Sequence, residues 1–247
     1  MSDRVLNVSA YAFVALDDAE RLSDAAHAEA AARRLKGTVL LADEGINLFL
    51  AGDADALRGW LAWLRTDARL AALQAKESWS ERVPFRSLKV RLKREIIRMN
   101  QPQVRPAAGR APAVAATTLA RWLDAGRDDD GRELVLLDTR NAFEVEHGAF
   151  ERALDWRLAK FSDFPAALAQ HRHELAGRTV VTYCTGGIRC EKAALALRDA
   201  GVPHVWQLDG GILRYLEQVS GARHWRGRCF VFDERESLGA DLAARSA

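Results

Sequence analysis

Thr179-Val180-Val181-Thr182-Tyr183-Cys184-Thr185-Gly186-Gly187-Ile188-Arg189-Cys190-Glu191-Lys192 reads as a strand, a tight loop and the start of a helix, end to end. Its first five residues form the short, largely apolar and β-branched run of a parallel strand buried on both faces. From Cys190 to Arg198 apolar residues form the stripe of a helix. A cysteine therefore falls where a strand ends and a helix begins. Gly186 and Gly187 let the backbone curl, so that successive amide N–H groups can point at the sulfur. Those donors and the positive end of the helix favour thiolate over thiol. Arg189 is expected to add a positive charge at the rim. The plainer alternative is a buried structural cysteine, which needs neither the paired glycines nor the arginine.

Loop size narrows the chemistry. Arg189 stands five positions after Cys184, one fewer than in the loops of cysteine phosphatases. The tighter cradle suits a sulfur atom carried on the cysteine better than a tetrahedral phosphate. Cys184 to Arg189 resembles the active-site loop of a rhodanese domain. Its flanks agree: Leu134 to Arg140, then Glu144 and Gly148, and later Leu208-Asp209-Gly210-Gly211-Ile212. The longer string Cys184 to Lys192, with Asp43-Glu44-Gly45-Ile46-Asn47 near the N-terminus, resembles the bacterial tRNA uridine hydroxylase family. That resemblance runs from about Tyr11 to Arg235. It implies oxygen-dependent conversion of the wobble uridine (34) of tRNA to 5-hydroxyuridine, with tRNA as partner and molecular oxygen as co-substrate. It also implies catalytic roles for Cys184, able to carry a persulfide, and Arg189, with Thr185, Gly186, Gly187 and Ile188 forming the active-site loop.

The chain's 247 residues suit two domains, and 49% apolar residues are enough for two cores. A net charge of +2 does not by itself announce nucleic acid, so any basic surface must be local. Three cysteines do not form a secreted disulfide framework. The N-terminus lacks the apolar core of a signal peptide, and no apolar run approaches the ~20 residues of a membrane helix. A cytoplasmic protein with reduced thiols and no membrane contact is expected. The expected division is a domain over 1–99, a linker over 100–113, a rhodanese-like domain over 114–220 and a tail over 221–247 that packs back.

In the first domain, strand and helix patterns alternate as β-α-β-β-α-β, with a further strand at Leu88–Leu92. This predicts a ferredoxin-like α+β sandwich. Asp43-Glu44-Gly45 is a hairpin turn between two strands. Its acidic pair and Asn47 face either the substrate site or only solvent. Along Leu88 to Lys93, Leu88, Val90 and Leu92 alternate with Lys89, Arg91 and Lys93, which places the bases on one strand face. With Arg94 they form a stripe spaced like a phosphate contact, or else a solvated sheet face. Membership of a tRNA-modifying family would favour RNA.

Asn100 to Pro112, with three prolines and a glycine, reads as an extended linker. Thr117-Thr118 is expected to cap the next helix, and Asp128-Asp129-Asp130-Gly131 to be an exposed turn. The strands and helices that follow alternate, which predicts an α/β domain with a parallel sheet covered on both faces. Asp138 and Arg140 end a buried strand beside the cysteine loop, where bracing is their expected role. His147 could move protons or simply lie at the surface. Cys190 could resolve an oxidised or persulfidated Cys184, or simply pack. The sequence shows no flavin or nicotinamide fingerprint and no clear metal-ligand set. The competing function is a rhodanese sulfurtransferase that moves sulfane sulfur through a Cys184 persulfide. A binding module with a vestigial site and a phosphatase are weaker alternatives.

Overall fold

A computed structural model describes residues 4–244. The chain divides into two compact units, Met1–Arg98 and Met99–Ala247.

The first unit runs β1 (Val5–Phe13), α1 (Ala19–Ala32), β2 (Lys36–Ala42), β3 (Gly45–Gly52), α2 (Ala54–Leu64), β4 (Ala75–Ser80) and β5 (Leu88–Leu92). The sheet order is β4-β1-β3-β2-β5. The first four strands pair antiparallel, and β5 joins β2 in parallel. Alternate strand residues Leu6, Val8, Leu48, Leu50, Val39 and Leu41 share one core with Ala26, Ala30, Leu57, Trp60 and Leu61 from the helices. Both helices therefore cover the same sheet face. Trp60 is fully buried and donates its indole N–H to the Ala26 carbonyl at 3.3 Å, which ties α2 to α1. Asp53 caps α2 through the Ala56 amide at 3.0 Å, a contact typically contributing about 1 kcal/mol.

The second unit contains β6 (Ala113–Val114), α3 (Ala116–Ala125), β7 (Leu134–Asp138), α4 (Ala142–Val145), β8 (Gly148–Phe150), β9 (Leu154–Asp155) and α5 (Phe164–His171). It continues through β10 (Thr179–Tyr183), α6 (Ile188–Asp199), β11 (Val205–Leu208), α7 (Gly211–Gln218), β12 (Trp225–Gly227), β13 (Cys229–Phe230) and β14 (Ser237–Leu238). The main sheet, β6-β11-β10-β7-β9, is parallel throughout, with β10 in the middle and all five of its residues buried. Phe150 meets Tyr183, Tyr215 and Trp225 edge-on, with ring centroids 4.9, 4.6 and 5.2 Å away. That hub joins β8, β10, α7 and β12.

Three local expectations change. The stretch 100–112 is not an extended linker. Val104 and Ala111 are buried, Pro106 opens a short 3-10 turn, and Arg110 pairs with Glu191 of α6 at 3.2 Å. Its apolar residues dock it on the second unit. Thr117 and Thr118 lie inside the first turn of α3, whose N-cap is Ala115 with no side-chain cap. Asp128 is buried rather than exposed. Its carboxylate accepts from the Thr179 hydroxyl at 2.5 Å and from the Asp130 and Arg132 amides at 3.0 and 2.8 Å, bracing the start of β10. The tail packs on the second unit, where β12 pairs antiparallel with β8 and β13 with β14.

Candidate active site

β10 delivers Cys184 to the carboxyl edge of the parallel sheet, and α6 begins four residues later. Gly187, at φ 111°, takes a backbone conformation that L side chains rarely adopt, and its amide donates to the Cys184 sulfur at 3.1 Å. The loop's carbonyls turn the opposite way. Cys184 O accepts from the Ile212 amide at 2.9 Å and Thr185 O from the Leu213 amide at 3.1 Å, both at the start of α7. The positive helix end thus holds the carbonyls outward while an N–H faces the sulfur. Gly211 makes this possible. A Cβ there would lie 2.4 Å from Cys184 O and 2.8 Å from Thr185 O. The Asp209-Gly210-Gly211-Ile212 string is therefore the floor of the cysteine loop.

Cys184 is fully buried; Thr185, Gly187, Ile188 and Arg189 are buried, and Gly186 is half-buried. Burial by itself would raise the Cys184 thiol. The neighbouring Cys190 thiol, the Arg189 charge and the Cys190 and Gly187 amides outweigh it and hold Cys184 well below the ordinary thiol value. The Cys190 sulfur lies 4.0 Å from that of Cys184 and 3.0 Å from the Gly187 carbonyl, within reach of either with its one proton. Both cysteines are free thiols. Cys229 is also buried, and burial pushes its thiol up to about 12, the behaviour of a packed, inert cysteine.

Arg189 does not stand at the rim. It is 5% exposed, and its guanidinium makes a two-pronged pair with the Glu144 carboxylate, one prong at 2.7 Å. Glu144 also accepts from the Asn141 amide at 3.1 Å, closing a capping box on α4. Glu144 is the functional neighbour that the sequence reading did not assign. The Asn141-x-x-Glu144 spacing, which signals a helix start, was its visible trace.

Asp138 and Arg140 form a second buried pair, with contacts of 2.9 and 2.6 Å. Arg140 donates further to the Gly148 carbonyl at 2.7 Å, and its guanidinium lies over the Tyr183 and Trp225 rings. The pair locks β7 and β8 beside the loop; neither side chain reaches solvent. His147 is exposed against Phe230, with ring centroids 5.2 Å apart. In the first unit, Glu44 accepts from the Ile96 amide at 2.8 Å and Asn47 donates to the Ile96 carbonyl at 3.3 Å. These two residues of the acidic turn clamp the segment that follows β5. Lys89, Arg91, Lys93 and Arg94 are all exposed. Leu88 and Val90 pack into the helix-side core, so Lys89 and Arg91 lie on the opposite sheet face. Leu92, 50% exposed, breaks the expected alternation at the strand's end. Among the described residues, no three His, Cys, Asp or Glu side chains cluster as metal ligands, and no helix is long and apolar enough to cross a membrane.

Known proteins match this architecture along its length. Residues 5–96 match a family described as the UPF0176 acylphosphatase like domain, and residues 116–218 match the rhodanese-like domain. A tRNA uridine(34) hydroxylase of Bordetella pertussis is 60% identical over 242 residues, spanning 98% of this chain and 99% of that protein. One of Variovorax paradoxus is 59% identical over 243 residues, spanning 98% and 92%. The chain belongs to the tRNA uridine(34) hydroxylase family. It joins an acylphosphatase-like unit to a rhodanese-like α/β unit. The ferredoxin-like order expected for the first unit is present, with β5 added in parallel at the edge.

Proposed function

We propose that this protein hydroxylates C5 of the wobble uridine of tRNA, with Cys184 as the reactive group. The observation that carries this reading is the near-complete likeness to tRNA uridine(34) hydroxylases, joined to an uninterrupted loop from Cys184 to Arg189. The held-down Cys184 thiol supports it, because the thiolate, not the thiol, is the nucleophile. Molecular oxygen is the co-substrate in this reading. One oxygen atom enters at C5, and the other leaves as water with two protons and two electrons from a reductant. Arg189 keeps a fixed positive charge near the sulfur, and Glu144 keeps Arg189 in place. The exposed bases Lys89, Arg91, Lys93 and Arg94 bind tRNA phosphates. The reaction takes place in the cytoplasm, where tRNA is found and thiols stay reduced.

A sulfurtransferase is the second reading. The compact loop and the amide 3.1 Å from the sulfur would also hold a sulfane sulfur. One experiment separates the two. Unmodified tRNA is incubated with the purified chain and a chemical reductant under isotopically heavy oxygen gas, and its nucleosides are read by mass spectrometry. Heavy oxygen in 5-hydroxyuridine, lost in Cys184→Ser, supports hydroxylation. A thiolated nucleoside, or sulfur transfer without an oxygen product, sinks it in favour of the second reading.

A further inference from the structure

Beside the cysteine loop the second unit carries an aromatic ledge that its own packing does not use up. Phe143 follows the α4 N-terminus, Phe230 ends β13, and Phe232 lies two residues on. Their ring centroids run 5.2 Å from Phe143 to Phe230 and 5.1 Å from Phe230 to Phe232, both pairs nearly perpendicular. The outer rings are open to solvent: Phe143 is 43% exposed and Phe232 48%. The ledge touches the catalytic machinery. Phe143 precedes Glu144 in the chain, and the Arg189 guanidinium lies 5.7 Å from the Phe232 ring centroid.

We propose that Phe232, backed by Phe230 and Phe143, stacks the unpaired wobble uracil of the tRNA anticodon loop and so presents it to the cysteine loop. The inference rests on the tRNA-hydroxylase reading above. Enzymes that act on a base must take it out of its stack, and an aromatic face replaces the lost stacking. Any base offers a π-face, so such a ledge needs no sequence-specific hydrogen bonds. A protein partner fits less well. Two exposed rings fall far short of the ~1,000 Å² that a stable protein interface buries. The position argues for substrate as well. The Arg189 guanidinium covers one face of the Phe232 ring, so a base stacked on the open face lies one ring's thickness from the active arginine.

The test uses the full chain, whole tRNA, and an anticodon stem-loop with either uridine or an abasic nucleotide at the wobble position. Phe232→Leu keeps apolar bulk and removes the π-face; Phe232→Tyr keeps the face. Phe232→Leu should weaken stem-loop binding about tenfold, within the range of one base–aromatic stack, and Phe232→Tyr should restore it. The abasic loop should bind the wild type about tenfold more weakly, and Phe232→Leu should add no further loss on that RNA. Phe143→Leu, which leaves Arg189 untouched, should show a smaller loss of the same kind. Equal losses on intact and abasic RNA would overturn the proposal, since they indicate general packing. So would unchanged binding by both leucine variants, or a change in oligomeric state with RNA binding intact. A wild-type chain that makes no 5-hydroxyuridine would instead defeat the functional reading beneath it. Hydroxylation at full rate by Phe232→Leu defeats this inference alone.

Discussion

Glu144 and Arg189, 45 residues apart in sequence, meet as a buried two-pronged ion pair under the cysteine loop. Neither is available to solvent: Glu144 is 0% and Arg189 5% exposed. The loop's positive charge is thus a fixture held from α4, not a mobile rim group. A buried pair of this kind is costly to break from one side, because the remaining charge stays desolvated.

Glu144→Gln keeps the shape and strips the charge. It should lower unfolding free energy by about 3–5 kcal/mol, as removal of one partner of a buried pair typically does. Urea denaturation measures it. A loss below about 1 kcal/mol would mean that Arg189 finds water or another partner.

Gly211→Ala tests the floor of the loop. The added methyl would meet Cys184 O at 2.4 Å and Thr185 O at 2.8 Å, at a residue with φ 65°. Overpacking of this kind typically costs about 1–3 kcal/mol. The cost should fall on the loop before the fold, since α7 can shift only by releasing the Cys184 and Thr185 carbonyls. Modification activity should drop more than tenfold while far-ultraviolet circular dichroism stays that of wild type. Equal activity would show that the loop does not depend on this contact.

The strand–loop–helix around Cys184 was legible because each feature was local: a buried strand run, paired glycines and a following helix. The βαββαβ order was legible for the same reason. What the sequence hid were partners brought together by topology. Glu144 stood among the flanks that resemble a rhodanese domain but carried no role there, and its meeting with Arg189 requires β7 and β10 to be neighbours. The stretch 100–112 carries linker residues, yet Val104 and Ala111 bury it, and apolar residues scattered among prolines give no period to read. Asp128 sits in a run of acids that suggests solvent; its inward turn depends on Thr179, 51 residues away.

Cys184 also predicts a pH dependence of stability. Its thiol is held below the ordinary value of 9.0 in the folded chain and returns to it on unfolding. For a group depressed in this way the contribution is complete above the unfolded value and is lost as pH falls through the folded one. The stability difference between wild type and Cys184→Ala should therefore grow as pH rises toward 9.0 and level off beyond it. The slope is about 1.4 kcal/mol per pH unit within the window. Cys229, pushed up to about 12 in the fold, lowers stability as pH climbs past 9.0, but both proteins carry it and it cancels in the difference. Removing Cys190, the largest of the groups favouring the thiolate, should shorten the window. Urea titrations across pH measure both, and a flat difference would mean that Cys184 is protonated in the fold.

The basic edge of the first unit yields the last prediction. Lys89 and Arg91 lie on the sheet face away from the helices, and Lys93 and Arg94 continue past the strand's end, all exposed. Exposed cations of this kind contribute little to stability, so replacing Lys89, Arg91 and Lys93 with alanine should leave the melting temperature within a degree or so. Binding should respond differently. Each cation on a phosphate releases condensed counterions, and its loss lowers the slope of log affinity against log salt by roughly 1. The triple variant should therefore bind tRNA more weakly at low salt, with a slope shallower by up to about 3. It should lose affinity for all tRNAs alike, because phosphates carry no sequence. An unchanged slope would make the stripe an ordinary solvated face and move tRNA contact elsewhere on the molecule.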